Sequence, residues 1–530
     1  MSRFRSVVSA LLLALMPALA TQAHAQFATR RPTRDWRLAD RTVIGDFSHI
    51  TSVAAASDRV FVTSPSALLI WRPQFQRWEG PFQPPEAGAL ARVFASLVDP
   101  LDNSLWLARS DGWVHYEPEL DAWSGGTVGA AVQGIAVDLS APFQGLLLRT
   151  SGGWLSVSGG GISASPARPP ARPVGPVSVS ELLRANPTLQ ANGSQILLDT
   201  RARDVRYTAA ARAFDQRGWY IGTWGRGLLY LADGAAIPDR LSFGLPGSMV
   251  GAVFAAPGGV WAANDRTADA DVAFTFVASD LTAFSTIQGP PATGMPFTQI
   301  RHIVGQGTAL WAATDYGVAR IEPAGRVRLF DEGAGLPDGR VLSLVSRYGQ
   351  IFAGTARGIV RLDDSMRLHR VAPHFAGTAL ALAVSADTVW AGTPAGLLFT
   401  AGDSADLSRP PGLETQSLQV PVVGLEWLGD TLVALTDDQL LWRAPRGAWS
   451  LGPSLSGLLG RLRRFRAEGD GFWVAGDRGL AYVTLSSPPL RPLLLGDIPG
   501  DVYDLAVDAD YLWVATSAGL VRFRLDAIRP

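Results

Sequence analysis

The last nineteen residues read LWVATSAGLVRFRLDAIRP, Leu512 to Pro530. An aromatic residue in an apolar run is followed by a small residue and a Thr. A short turn then reaches Gly519, and a second apolar run follows before the chain stops. Glycine takes the positive φ that a tight hairpin demands, so the segment predicts a strand, a turn and a returning strand. The same phrase recurs upstream as VFVTS at Val60, LWLAR at Leu105, WYIGT at Trp219, VWAAN at Val260 and LWAAT at Leu310. It continues as IFAGT at Ile351, VWAGT at Val389, LVALT at Leu432 and FWVAG at Phe472, with a degenerate LLLRT at Leu146. That makes eleven units, mostly about 38 to 50 residues apart with one interval near 73, the mark of a stacked array or propeller.

A further strand precedes each hairpin. Eleven and eight residues before the aromatic, nine units carry apolar side chains, such as Ile300/Ile303, Val341/Leu344 and Val502/Leu505. Strict alternation would give an even spacing, so the odd one marks an irregularity in that strand. A fourth strand shows as an aromatic between polar or small neighbours in Arg77-Trp78-Glu79, Ala122-Trp123-Ser124 and Ala448-Trp449-Ser450. Four short antiparallel strands per unit predict an all-β chain, a β-propeller of about eleven four-stranded blades. A sandwich does not predict so regular a repeat, and the glycines and period-2 hairpins exclude an α-solenoid.

The final unit supplies only three strands. Arg34-Asp35-Trp36-Arg37, near the other end of the chain, matches the fourth-strand landmark, so residues near Asp35–Val43 are expected to complete the last blade. Eleven blades exceed the usual four to eight, which favours two rings with both termini in one blade over a single large ring. The long interval holds a Pro-rich segment within an insert at about 163–200, in which VSELLRANP predicts one short helix ending before Pro187.

Arg3 and Arg5 precede an apolar run to Ala20, and Ala23-His24-Ala25 offers a small-x-small cleavage site. Residues 1–25 therefore read as a signal peptide, with the array over 26–530 exported to the periplasm or secreted. No later apolar run is long enough to span a bilayer, so no transmembrane segment is expected in the mature chain. The sequence has no Cys, which removes disulfides, thiolate metal sites, Cys nucleophiles and a lipidated N-terminal Cys. It also has no Lys, which removes Schiff-base chemistry. Basic and acidic residues number 46 and 47, a balance that argues against a nucleic-acid partner.

Residues 310 to 345, LWAATDYGVARIEP through LFDEGAGLPDGRVLSLV, resemble the two-component regulator propeller repeat. The likeness rests on the aromatic-small-Thr strand, the Gly-apolar hairpin and the GLP loops at Gly244-Leu245-Pro246 and Gly335-Leu336-Pro337. It extends over about residues 45 to 525 and is specific only to the repeat type. The resemblance implies an extracytoplasmic ligand-sensing domain, or an exported propeller of a cell-surface assembly. This chain shows neither the membrane helix nor the histidine kinase that the family's sensors often carry.

Chemistry is sparse. His49, His115, His302, His369 and His374 have no metal-ligand spacing, and the last two are expected in a loop. Asp269/Asp271 and Asp508/Asp510 lack calcium-loop spacing, and SGGGIS at Ser158 lacks the Lys of a phosphate loop. No cofactor, metal site or catalytic residue is expected. Ten and nine residues before the aromatic, most units carry small or apolar residues, but three carry Arg301/His302, Arg463/Arg464 and Tyr503/Asp504. If first strands line a central channel, these groups surround a pocket for an anionic or polar ligand, since Arg grips carboxylate or phosphate in bidentate fashion. The leading expectation is a non-catalytic exported propeller binding such a ligand or an envelope protein. The alternative is a lyase or hydrolase acting in the channel.

Overall fold

The computed structural model describes residues 36–529, apart from 87, 139–145, 158–163, 191–195, 199–203, 268–269, 290–293, 403, 414–419, 446, 486–489 and 495. The expected signal peptide, Asp35, Asp269 and the SGGGIS run lie outside the described residues. Among the described residues eleven antiparallel sheets follow one another along the chain: eight with four strands, two with five and one with three. Almost every strand pairs with its neighbour in sequence, as short turns between period-2 segments require. The repeat expectation therefore holds for an all-β chain, with three sheets departing from four strands.

The Thr of the repeated phrase has a mechanical role. The hydroxyls of Thr314, Thr355, Thr393 and Thr516 donate to the carbonyls of Gly317, Gly358, Gly396 and Gly519 at 2.7, 2.9, 2.8 and 2.9 Å. Each also accepts from the amide two residues on, at 3.1 to 3.2 Å. The side chain thus adds two hydrogen bonds inside each turn that a valine of the same shape could not make. The odd spacing in the first strands is a β-bulge. In nine sheets the register between the first and second strands shifts at this point, for example between Ile300 and His302 and between Leu462 and Arg464.

The last sheet is completed from the other end of the chain. Arg41–Ile44 pairs antiparallel with Gly519–Arg524, placing Arg41 opposite Phe523 and Ile44 opposite Leu520. The expected match at Trp36 is displaced. Trp36 precedes the 3-10 turn Leu38–Asp40, and its ring meets Phe523 edge-on at 5.9 Å, so it docks beside the strand rather than within it. Asp40 drives that offset, because its carboxylate accepts from the Arg37 amide at 2.8 Å and closes a turn before the strand can begin. Gly519 has φ of 132°, and a Cβ there would lie 2.5 Å from the Ile44 carbonyl, so close pairing requires glycine.

First strands pack side by side in two series. In one, Val250–Ala256, Ile300–Gln306, Val341–Arg347, Ala381–Ser385, Val422–Leu428, Leu462–Glu468 and Val502–Val507 follow in order, and the last also packs against the first. In the other, Asp204–Arg212, Ser52–Ala55, Val93–Val98 and Val132–Asp138 lie in sequence. The series share a core in which Ile44, Phe47, Ile50 and Leu228 join Val250, Trp513 and Leu520. The first GLP loop sits at this seam. Gly244, at φ 76°, would drive a Cβ to within 2.5 Å of Phe47, and the Leu245 amide donates to the Gly45 carbonyl at 3.1 Å.

The insert closes the inner edges of the four-sheet series. Pro173–Val174 pairs with Val132–Asp138, and Ile196–Leu198 pairs with Asp204–Arg212, so the Pro-rich half contributes a strand. The expected helix forms at Val179–Ala185. Ser178 and Glu181 make a reciprocal capping box, and Leu182 and Leu183 pack with Tyr207, Ile221 and Leu229. Removing residues 27–44 should lower the melting temperature by several degrees, because Leu520, Val521 and Phe523 lose their cover and an edge opens. An unchanged calorimetric melt would show that the terminal strand closes nothing.

Candidate functional site

The bulge carries the site. In six of the seven sheets of the longer series the register shift leaves one first-strand residue without a partner, and Leu380, just before Ala381–Ser385, holds the same repeat position in the seventh. One cavity of about 580 Å³ is lined by the residue at that repeat position from all seven sheets: Gly251, Arg301, Leu342, Leu380, Val423, Arg463 and Tyr503. Their order gives the mouth two sides. Leu342, Leu380 and Val423 form an apolar wall, while Arg463, Tyr503 and Arg301 form a polar one around Gly251. At Gly251 a Cβ would meet the Asp265 carboxylate at 2.7 Å, so the missing side chain leaves room for that acid.

The six residues singled out from sequence fall into two groups. Arg301, Arg463, Arg464 and Tyr503 line this cavity together. Arg301 donates to the Gln299 side chain at 3.0 Å, and its Nε is buried without a partner. Arg463 reaches outward to Asp477 at 2.5 Å. Arg464, about a third exposed at 32%, lies across the channel, 3.9 Å from the Asp504 carboxylate, with weak bonds to the carbonyls of Arg463 at 3.3 Å and Arg301 at 3.5 Å. Asp504 is instead 1% exposed and accepts from the Val253 amide at 3.1 Å, which ties adjacent sheets together and leaves no surface for a ligand. His302 lies deeper in the channel. Its Nδ1 accepts from the Leu344 amide at 3.2 Å, and burial pushes its pKa down to about 4.

Four residues escaped the sequence reading: Glu426, Arg466, Asp265 and Arg461. Two further residues along their strands, Glu426 and Arg466 meet at 2.7 Å, and Arg466 also lies 3.8 Å from Asp504. Glu426 accepts from the Ala467 amide at 2.6 Å; burial raises its pKa although Arg466 opposes the shift. Both face the channel because the strand resumes alternation after the bulge, so the seventh position before the aromatic points inward as well. That signal was present in LRRFRAE and VVGLEWL. Asp265 has no such signal, since it sits in a turn beyond the second strand. It accepts from the Ile300 amide at 2.7 Å, and burial pushes its pKa up to about 6 despite the Arg301 charge.

Arg461 also lines the mouth, so four guanidiniums face one cavity that holds a single lining carboxylate, Asp265. The arrangement can bind an anion. Acid–base chemistry has weaker support, because His302 is committed to a backbone amide and Glu426 to Arg466. The remaining histidines lie elsewhere. His369 is within the strand Leu368–Val371 rather than in a loop, because register with Arg361 carries it there, and it meets Asp363 at 2.8 Å. No cluster of His, Asp and Glu able to hold a metal occurs among the described residues, and none of their helices is long and apolar enough to cross a membrane.

No protein-family model matches the chain, and no curated protein matches it. Solved structures do. The extracellular domain of a hybrid two-component system protein from B. thetaiotaomicron is 12% identical with a TM-score of 0.42, over 91% of this chain and 70% of that one. PorZ, a surface component of the type-IX secretion system of Porphyromonas gingivalis, is 12% identical with a TM-score of 0.44, over 90% and 68%. Virginiamycin B lyase from Staphylococcus aureus is 12% identical with a TM-score of 0.44, over 52% and 94%. At these scores the likenesses carry no conclusion about what this chain binds.

The His302 environment has a pH consequence. In the unfolded chain the imidazole takes up a proton below its ordinary 6.5, whereas in the native protein it does so only near 4. Acidification across that window therefore favours unfolding, by up to about 1.4 kcal/mol for each pH unit. Urea titrations should show His302→Gln losing less stability than the parent over this range. Equal losses would place the titrating group elsewhere.

Proposed function

We propose that the chain is an exported, non-catalytic β-propeller whose central channel binds a small anionic ligand. On this reading the seven-sheet series is one ring, closed by Arg41–Ile44, and the four-sheet series is a partial ring sealed by the insert. The observation that carries it is the shared cavity: seven sheets each place the same repeat position in it, and four arginines gather there against one lining carboxylate. Four guanidiniums drawn close repel one another, and an anion with at least one carboxylate or phosphate relieves that repulsion while taking bidentate hydrogen bonds. A signal peptide, a periplasmic or secreted location and a sensor-like role complete the reading.

The test is thermal stabilisation by citrate, phosphate and succinate at fixed ionic strength. The parent should melt higher with at least one of them, and Arg463→Ala/Arg464→Ala should lose the shift. A shift retained in that variant would discard the site.

A second reading, an envelope protein partner, is favoured by one surface. Phe75, Leu120 and Ile237 are exposed in turns between third and fourth strands, and Leu101 and Phe214 in turns between first and second strands. Such turns share one end of an antiparallel sheet, and the ion pair of Arg59 with Glu119 at 2.8 Å joins that end across two sheets. Apolar side chains gathered at one end mark a contact surface. Serine at Phe75, Leu120 and Ile237 should reduce crosslinking to envelope proteins without altering the melt; unchanged crosslinking would remove this reading.

A further inference from the structure

The channel continues past the arginines. A second cavity of about 380 Å³ shares Leu342, Leu380, Val423 and Arg464 with the first, so these four residues form a neck between two halves. Beyond the neck the walls include Phe254, Val304, Val345 and Trp427, each half-buried and so still presenting apolar surface to the lumen. Within this half Arg466 is held by Glu426 at 2.7 Å and lies 3.8 Å from Asp504, while Arg347, exposed, lies over the Tyr348 ring. One half therefore carries surplus positive charge, and the other carries unfilled apolar surface with its main ionic groups paired.

A compact dianion would use the first half alone and leave Phe254, Val345 and Trp427 against water. A peptide body would bring amides past the neck, where Glu426 and Arg466 already satisfy each other and offer few free partners. An alkyl chain needs no partner there and gains from leaving water. The neck itself is apolar on the side of Leu342, Leu380 and Val423, and opposite them lies a single guanidinium on a flexible stem.

We propose that the channel binds an elongated amphipathic carboxylate, its head held by Arg301, Arg463 and Arg464 and its alkyl chain passing the Leu342–Leu380–Val423 neck toward Phe254 and Trp427. The proposal rests on the anion-binding reading above and specifies the ligand class. Calorimetric titration of the full mature chain with straight-chain carboxylates from acetate to decanoate, at constant ionic strength, tests it.

Affinity should rise with each methylene that passes the neck, by up to about fourfold per group at full burial. Leu342→Trp, which fills the neck, should flatten the series, so that decanoate gains little over acetate. Val345→Asp, placed beyond the neck, should weaken decanoate selectively and serves if the tryptophan variant misfolds. Binding that is independent of chain length would overturn this inference and leave the anion site standing. A chain-length dependence that persists in both variants would place the alkyl chain elsewhere and overturn it too. Failure of every carboxylate, with phosphate and citrate also silent, would remove the anion site together with the inference.

Discussion

Four residue pairs hold the two ends of the polypeptide together. Arg41 to Ile44 lie against Leu520 to Phe523, and through that pairing the last sheet acquires its fourth strand. Without it, the third strand of that sheet would present a bare row of amides and carbonyls, and the core around Phe523 and Leu520 would open. The seven first strands keep their mutual packing because the last sheet is whole and can press against the first. The cavity on their axis in turn exists only while all seven remain in place. A site built from one residue per sheet is thus coupled to an interaction between segments about 480 residues apart in sequence, the separation of the paired Thr42 and Arg522.

The unequal distribution of charge inside the channel follows from the same geometry. Strand Leu462–Glu468 supplies Arg463, Arg464 and Arg466, so one sheet edge carries a column of guanidiniums down the axis. Deep in the channel the column is answered by Asp504 and Glu426, which are buried and hydrogen-bonded to backbone amides on neighbouring sheets. Near the mouth the answer is only partial, because Asp265 is lifted toward its protonated form by burial and Asp477 draws Arg463 outward. Buried ion pairs tend to set which partners meet rather than to add much stability. Here they fix the stagger of adjacent sheets, and the unanswered charge is left where a ligand can arrive.

The repeat was legible because its turn chemistry is local. Thr, Gly and the aromatic sit within a few residues of one another, and each satisfies a need inside its own hairpin. The first strands were legible to the extent that their burial is periodic, and even their irregularity was visible as an odd spacing. The terminal strand was found in the right neighbourhood but misplaced by several residues, since nothing in Arg34-Asp35-Trp36 announces the turn that Asp40 closes. Asp504 looked like a ligand group because a strand position reveals which way a side chain leans, not which amide it meets. Asp265 depends on contacts between units, which no single repeat encodes. The insert was read as a linker with a helix; its strands could not be foreseen, because their partners lie in sheets that only the assembled series brings near.

The bulge has an evolutionary consequence. Its unpaired residue stands outside the register of the ladder, so exchanging it leaves most of the scaffold untouched, except at Gly251, where a Cβ would meet the Ile300 carbonyl at 2.5 Å. Gly251, Arg301, Leu342 and Tyr503 occupy one equivalent position with four unrelated chemistries. A lineage carrying this architecture could therefore change what it recognises through separate substitutions at these positions, much as a lock is rekeyed by replacing its pins while the barrel stays as it was.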